Sequence, residues 1–238
     1  MKRLLGLALG MLAAACLWTG CAERPVADWQ RGFFIPMDGY CAMGENETLT
    51  LALTYYIDAA VGGDMGEDVT AIALDGIGPD QLKVEMDEIA PMEPMNGHHG
   101  YSVTLQIAPA AQGVFETDGV ILFTRDGGSV TVPLGDWVFD MGDAGDDSKA
   151  DTWEAPMASS NAAAFAYDYK LGPGLKLTAL QYGRDSVLRD EAGLAPAGQV
   201  PLEGDTPVKF IKTRLTLSDG AVAYGKGCYC GALGEIEV

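Results

Sequence analysis

The sequence predicts an all-β protein built as an Ig-like antiparallel β-sandwich, and two patterns lead to this class. Short apolar runs alternate with polar residues at a period of two, which is typical of strands with one buried face. Turn signals rich in glycine, proline and aspartate separate these runs at the regular spacing that sandwiches show. No convincing amphipathic helix interrupts the pattern in the chain beyond its leader.

The clearest strand is predicted between residues 48 and 57, where apolar and mostly polar residues alternate. Its apolar positions are Leu49, Leu51, Leu53, Tyr55 and Ile57. Further strands are predicted at 69–74, 82–86, 101–107, 120–124, 129–132 and 137–139. The residues Arg125-Asp126-Gly127-Gly128 form a strong hairpin signal between two of them. Residues 32–43 are interpreted as a first strand or a packed loop.

The second half of the chain has fewer strand signals. Residues 162–169 fit a strand or a helical turn, 175–181 fit a strand, and 185–199 are charged and loop-like. Residues 208–217 alternate only loosely, and Asp219-Gly220 predicts another hairpin after them. A closing strand is predicted at 235–238.

An acidic, glycine-rich stretch from Asp140 to Thr152 indicates a linker or a long loop between the halves. We therefore predict two modules that follow an N-terminal signal peptide. The predicted ranges are a signal peptide at 1–20, a tether at 21–31, a β-sandwich module at 32–141, an acidic linker at 142–152 and a second, smaller β module at 153–238. The alternative is one larger structure completed by both halves.

The N-terminal leader has the features of a secretory signal. Lys2 and Arg3 supply positive charge before an apolar run over residues 4–17. This run is shorter than the roughly 20 residues that an ordinary membrane span requires. A cut after Ala15 or Gly20 would leave the rest of the chain outside the cytoplasm.

The stretch Leu17-Trp18-Thr19-Gly20-Cys21 resembles the lipobox of bacterial lipoproteins, where a small residue precedes a cysteine. The resemblance implies that Cys21 carries a diacylglycerol on its sulfur and becomes the mature N-terminus. Two acyl chains suffice for stable anchoring. Trp18 departs from the pattern, and Ala13-Ala14-Ala15-Cys16 is a rival box. A plain signal peptide, with Cys21 as an ordinary thiol, is the alternative.

The net charge limits the classes of partner. The chain has 34 acidic and 15 basic residues and a net charge of −19, to which Lys2 and Arg3 in the leader contribute two positive charges. Nucleic acid needs a basic patch, and an anionic membrane surface attracts basic segments. We therefore predict that the chain contacts the membrane only through its lipid and that its ligand is a protein or a glycan.

Three cysteines remain beyond the leader and its lipobox, namely Cys41, Cys228 and Cys230. Cys228 and Cys230 would share one face of a strand, with Cα atoms near the outer limit for a disulfide. A bridge from Cys41 to Cys228 or Cys230 is therefore predicted ahead of one within Cys-Tyr-Cys. Three reduced thiols are the alternative.

Two clusters of polar or soft side chains are candidate metal ligands. The first, Met92, Met95, His98 and His99, resembles Met-rich copper sites of bacterial envelopes, and thioethers and imidazoles suit copper. The second contains carboxylates of the kind that bind calcium, although their spacing is not that of an EF-hand. Its members are Asp140, Asp143, Asp146 and Asp147. The simpler interpretations are a loop with methionine as apolar filler and a solvated acidic linker.

Catalytic motifs are missing from the sequence, which has no nucleophile elbow, no zinc-protease motif and no glycine-rich phosphate loop. The first hypothesis is therefore a non-enzymatic lipoprotein with a binding or structural role. The second is a copper-binding lipoprotein of the cell envelope. The third is a carbohydrate-active surface protein in which Trp29, Trp137 and Trp153 line a sugar groove, although Trp137 is predicted to lie in the core.

Overall fold

The computed structural model describes residues 28–60, 64–146, 148–151 and 158–231, and within these ranges it is nearly all β. A 3-10 turn at Asp28–Arg31 and a short helix at Met65–Asp68 accompany the strands. The first eight strands are β1 (Phe33–Phe34), β2 (Met37–Gly44), β3 (Leu49–Asp58), β4 (Val69–Leu74), β5 (Leu82–Pro91), β6 (His98–Pro109), β7 (Gly113–Thr124) and β8 (Ser129–Gly142). The prediction of an all-β fold is confirmed.

The strands after residue 146 are short. They are β9 (Ala150–Asp151), β10 (Ala158–Ser159), β11 (Ala164–Asp168), β12 (Lys170–Leu171), β13 (Leu177–Gln181), β14 (Val187–Leu194), β15 (Ala197–Pro201), β16 (Val208–Lys212), β17 (Arg214–Leu217), β18 (Val222–Tyr224) and β19 (Cys228–Gly231).

Two large sheets pack against each other as a β-sandwich. One has the strand order β1-β3-β6-β5, and the other has the order β10-β19-β16-β2-β8-β7-β4. A single apolar cluster contains side chains of both sheets, so the two sheets enclose the first core. Three further sheets, one of four strands and two of two strands, come from the second half of the chain. Their orders are β14-β13-β17-β18, β11-β15 and β12-β9.

The sheet β1-β3-β6-β5 buries one of its faces in the first core. In β3, Leu49, Leu51 and Leu53 are buried and Thr50 and Ala52 are exposed, so the predicted alternation is confirmed. β3 pairs with β6 in an antiparallel register, which places the apolar side chains of the two strands on the same face. Met86 on β5 packs against this core, as its position in the alternation predicts.

The seven-stranded sheet is buried on both faces at its centre. In β2, Cys41 and Met43 join the first core, whereas Tyr40 and Ala42 join a second apolar cluster on the other face. β2 pairs in parallel with β8 on one side and with β16 on the other. Parallel strands typically occupy such doubly covered positions.

The second core consists of side chains from strands after residue 149 together with Tyr40 and Ala42 of β2. The molecule therefore has three layers, with the seven-stranded sheet in the middle. β16, β19 and β10 come from the predicted second module, yet they extend the sheet that holds β2 and β8. The division into modules at 142–152 stays a prediction, and the central sheet contains strands from both sides of it.

Three local predictions need correction. Residues 185–199 are not a loop, because they form β14 and most of β15, whose exposed side chains hide the strand pattern. Residues 208–217 alternate loosely because they form two strands in different sheets, β16 and β17. Residues 137–139 belong to the 14-residue β8. The predicted closing strand at 235–238 lies outside the described residues.

Candidate functional site

The predicted lipid attachment residue, Cys21, lies outside the described residues. Within the part of the chain that the structure describes, every helix falls short of the length and apolar character that a membrane crossing requires.

The predicted bridge from Cys41 to Cys228 or Cys230 does not form in the structure. All three thiols are free and buried. Cys41 faces the first core, whereas Cys228 and Cys230 face the second core on the opposite side of the same sheet. β16 also separates β2 from β19. The sequence indicated that Cys228 and Cys230 share one face of a strand. It gave no sign that Cys41 points to the opposite face of the sheet.

The predicted copper ligands do not converge. His98 and His99 are consecutive on β6 and pair with Asp58 and Ile57, so they point to opposite faces of the sheet. His98 packs edge-on against the rings of Phe33 and Tyr56, at centroid distances of 6.0 and 6.3 Å. Met92 is exposed, and Met95 packs against the first core. The simpler interpretation, a turn with methionine packing, fits this arrangement.

The acidic cluster is likewise divided. The Asp140 carboxylate is buried and accepts a hydrogen bond from the Tyr40 hydroxyl at 2.9 Å. Asp143 accepts from the Gln112 amide, and Asp146 pairs with Ser148 and Lys149. Asp147 lies outside the described residues. Among those described, the structure assembles no group of three or more His, Cys, Asp or Glu side chains that could hold a metal ion.

Two of the three tryptophans that could line a sugar groove lie in the core. Trp29 is fully buried, and its Nε1 donates to the Asp68 carboxylate at 2.9 Å. Trp137 is stacked between Phe139 and Phe210, with centroid distances of 5.7 and 5.6 Å, which confirms its predicted place in the core. Trp153 lies outside the described residues.

A concave surface lies where the loop between β13 and β14 reaches toward β7 and β8. We call it the junction groove and define it by Asp75, Glu116, Asp118, Asp136 and Arg184. Its main cavity has a volume of about 610 Å³. Two neighbouring cavities, of about 340 and 180 Å³, also have Arg184 in their lining.

The charges of the junction groove favour ligands that donate hydrogen bonds or carry positive charge. Four of its five defining side chains are carboxylates, and the fifth, Arg184, forms an ion pair with Glu116 across the groove. Both members of this pair are at least half exposed, which leaves their remaining hydrogen-bonding capacity open to a ligand. Asp75, Asp118 and Asp136 contribute further acceptor oxygens around it.

A second cavity, of about 590 Å³, lies beside the buried lysine Lys212. The Lys212 ammonium donates to both carboxylate oxygens of Glu47, at 3.0 and 3.2 Å, and to the carbonyl of Gly225 at 2.8 Å. It also lies 5.5 Å from the centre of the Tyr224 ring. These contacts use the three donors of the ammonium, so Lys212 has a structural role.

Sequence reasoning missed both concave surfaces. Lys209 and Lys212 are both buried, and the only sequence signal for this was their place in the otherwise apolar run Val208–Lys212. The junction groove had no sequence signal, because its members come from β7, β8, the turn after β4 and the distant loop that carries Arg184.

No family model and no curated protein matches the chain. Among solved structures, it is similar to SGBP-B of the Bacteroides ovatus mixed-linkage glucan utilization locus, in complex with a mixed-linkage heptasaccharide, at 10% identity and a TM-score of 0.23. That match covers 80% of this chain and 46% of the other, so the chain corresponds to less than half of that protein.

Two further structures show similarity of the same order. The fibronectin(III)-like modules of Clostridium thermocellum CbhA have 9% identity and a TM-score of 0.26, with 87% of this chain and 98% of the other covered. The D00-D0 domain of intimin has 10% identity and a TM-score of 0.25, with 84% and 98% covered. Scores of this size carry no argument about function, and the fold assignment rests on the strands and sheets described above.

Proposed function

We propose that this chain is a lipid-anchored protein held outside the cytoplasm, where it serves as a non-enzymatic binding or structural module. The observation that carries the binding role is the junction groove, a cavity of about 610 Å³ whose charged lining consists of four carboxylates and Arg184. The proposed ligand is a protein or a glycan that presents hydrogen-bond donors or positive charge to the groove.

The leader supports the anchored location. Its charged start, its short apolar run and the lipobox-like residues before Cys21 are the features that direct a chain to export and acylation. The strongly acidic remainder favours a polypeptide that stands away from an anionic bilayer.

The chemistry of the groove supports a non-enzymatic role. The described thiols, Cys41, Cys228 and Cys230, are buried away from it. Burial raises the pKa of Cys41 to about 12, which keeps this thiol protonated and unreactive at neutral pH. The groove itself offers exposed carboxylates and one guanidinium, groups that suit recognition.

The proposed lipid anchoring at Cys21 is tested by labelling cells with a radioactive fatty acid. The wild-type protein should incorporate label and stay with the membrane fraction, whereas Cys21→Ala should do neither. Cys16→Ala is the matched control and should behave as the wild type. Label retained in Cys21→Ala would exclude Cys21 as the attachment residue.

The proposed ligand binding in the junction groove is tested with two defined probes, a lysine-rich peptide and an array of neutral oligosaccharides. Asp118→Lys and Asp136→Lys should weaken binding of whichever probe the wild type retains, because they reverse charge in the groove. Glu85→Lys and Asp87→Lys on the exposed side of β5 are matched controls. Equal binding by groove and control variants would contradict the assignment of the groove.

A further inference from the structure

The Cys-Tyr-Cys segment places two thiols side by side in the second core. The sulfur atoms of Cys228 and Cys230 are 3.8 Å apart. Both side chains are essentially fully buried and lie on the same face of β19. Cys41, the other described cysteine, faces the opposite core, so these two sulfurs are each other's nearest thiol partners.

The surroundings of the pair make the two thiols chemically different. The hydrogen bond between the two thiols lowers the pKa of Cys228, whereas the same hydrogen bond, together with burial, raises the pKa of Cys230. Lys209, which pairs with Cys230 across β16 and β19, is a buried cation beside them. Cys228 is therefore suited to act as the attacking thiolate, and Cys230 is suited to attack second.

We propose that Cys228 and Cys230 form a site of reversible oxidation and are joined by a disulfide when the protein meets a small disulfide oxidant. The Cys228 thiolate attacks a sulfur of the oxidant, forms a mixed disulfide and releases one thiolate of the oxidant. Cys230 then loses its proton and attacks the Cys228 sulfur, and the second thiolate leaves. Two protein thiols become one disulfide, and the oxidant is reduced to two thiols.

Disulfide formation requires a local change in β19. The sulfurs must approach from 3.8 Å to about 2 Å, and Cα atoms two residues apart on an extended strand lie near the outer limit for a bridge. β19 must therefore contract. Tyr229, between the two cysteines, bonds through its hydroxyl to the backbone of Ala52, accepting at 2.9 Å and donating at 3.1 Å. Oxidation at this site thus acts on a contact between the two large sheets.

The experiment uses the full-length protein purified in detergent and treated with glutathione disulfide, both in the folded state and during refolding from urea. After alkylation of free thiols, the peptide that contains Cys228 and Cys230 should be unalkylated and lighter by two hydrogens than its reduced form, in the wild type and in Cys41→Ser. Treatment with a reductant should restore two alkylatable thiols. Cys228→Ala and Cys230→Ala cannot form this disulfide, so their remaining thiol in this peptide should be found either alkylated or bound to one glutathione.

Refolding in the presence of the oxidant removes burial as an obstacle to the reaction. A wild-type peptide with two alkylated thiols under both conditions would overturn the proposal. A disulfide that links Cys41 to either residue of the pair would also overturn it. The result does not depend on the function of the junction groove, so the two proposals fail separately.

Discussion

β3 and β2 are both strands of the sandwich, but they meet different environments. β3 has one face in the first core and one face toward solvent. β2 has the first core on one face and the second core on the other, and most of its residues are buried. The comparison teaches that the second half of the chain provides the cover for a face that would otherwise carry apolar residues into water.

The two strands also differ in the size and polarity of their side chains. On the outer face of β3, the Thr50 hydroxyl donates to the side-chain oxygen of the half-buried Gln106 at 3.1 Å. In β2, Gly39 lies directly against the Trp137 ring, in space that a side chain would fill. The charged groups near the centre of the middle sheet have partners: Lys212 binds Glu47, and Asp140 binds Tyr40. Burial on both faces therefore demands close packing, as at Gly39, and partners for the buried charges.

The largest expected effect on stability is a difference between two strands, when the same alanine-to-aspartate substitution is made in β2 and in β3. Ala42→Asp introduces an unpaired charge between the layers and should lower the free energy of unfolding by about 3–5 kcal/mol. Ala52→Asp, on the exposed face of β3, should change it by no more than about 0.5 kcal/mol. Urea unfolding followed by circular dichroism measures both. Similar losses in the two variants would contradict burial of β2 on its second face.

Removal of the buried ammonium should have the next largest effect. Lys212→Met leaves the Gly225 carbonyl and the Glu47 carboxylate without their partner, and we expect a loss of about 2–3 kcal/mol. The loss falls below that of a fully buried pair because 27% of the Glu47 side chain stays exposed to water. Lys83→Met on the exposed side of β5 is the matched control and should leave the unfolding midpoint unchanged. A stabilised Lys212→Met variant would mean that the cost of burying the pair outweighs its contacts.

A smaller effect should appear at alkaline pH. Burial raises the pKa of Tyr55 from 10.0 to about 12, and its hydroxyl donates to the Trp29 carbonyl at 2.7 Å. Between these pH values the unfolded chain loses the proton while the folded protein holds it, so stability should fall as the pH rises. Burial also raises the pKa of Tyr40 and Tyr169, which adds to the same loss.

The check is the urea midpoint of the wild type and Tyr55→Phe, measured from pH 10 to 12. The variant should start from lower stability, because it lacks the hydrogen bond, and should lose stability less steeply. Parallel curves for the two proteins would show that Tyr55 ionises alike in the folded and unfolded states.

The smallest effect is expected at the surface of the junction groove. Arg184→Ala removes an exposed ion pair with Glu116 and should cost at most about 1 kcal/mol, with the difference from the wild type shrinking in high salt. Arg189→Ala on the exposed face of β14 is the control. A loss as large as that of Lys212→Met would show that the loop between β13 and β14 is held mainly by this pair.

The fold could be predicted where a strand faces one core. The alternation at Leu49, Leu51 and Leu53 predicted β3, and the Asp126-Gly127 turn predicted the hairpin of β7 and β8. Residues 32–43 were left as a strand or a packed loop, and residues 208–217 showed only loose alternation. Burial of β2 and β16 on both faces removes the period of two. β14 and β15 were not predicted as strands for the opposite reason. Their side chains are mostly exposed, so the sequence shows no apolar face there.

The candidate site was largely hidden from the sequence. Arg184 and Glu116 are distant in the chain and meet only because the second half folds back over the face of β7 and β8. Cys228 and Cys230 were correctly expected on one face, but the partner of either thiol depended on which side of the sheet Cys41 occupies. Such information resides in the order of the strands, which local patterns do not encode.

The parallel pairing of β2 with β16 has a consequence for how the chain reaches its folded state. Met37 pairs with Val208, so the middle sheet closes only after almost the entire described chain is available. Contacts this distant in sequence slow folding, because a long loop must close before they form. Until then β2 keeps an open edge and an uncovered apolar face, both of which favour aggregation. The interval between synthesis of β2 and arrival of β16 is therefore the period in which assistance from a chaperone matters most.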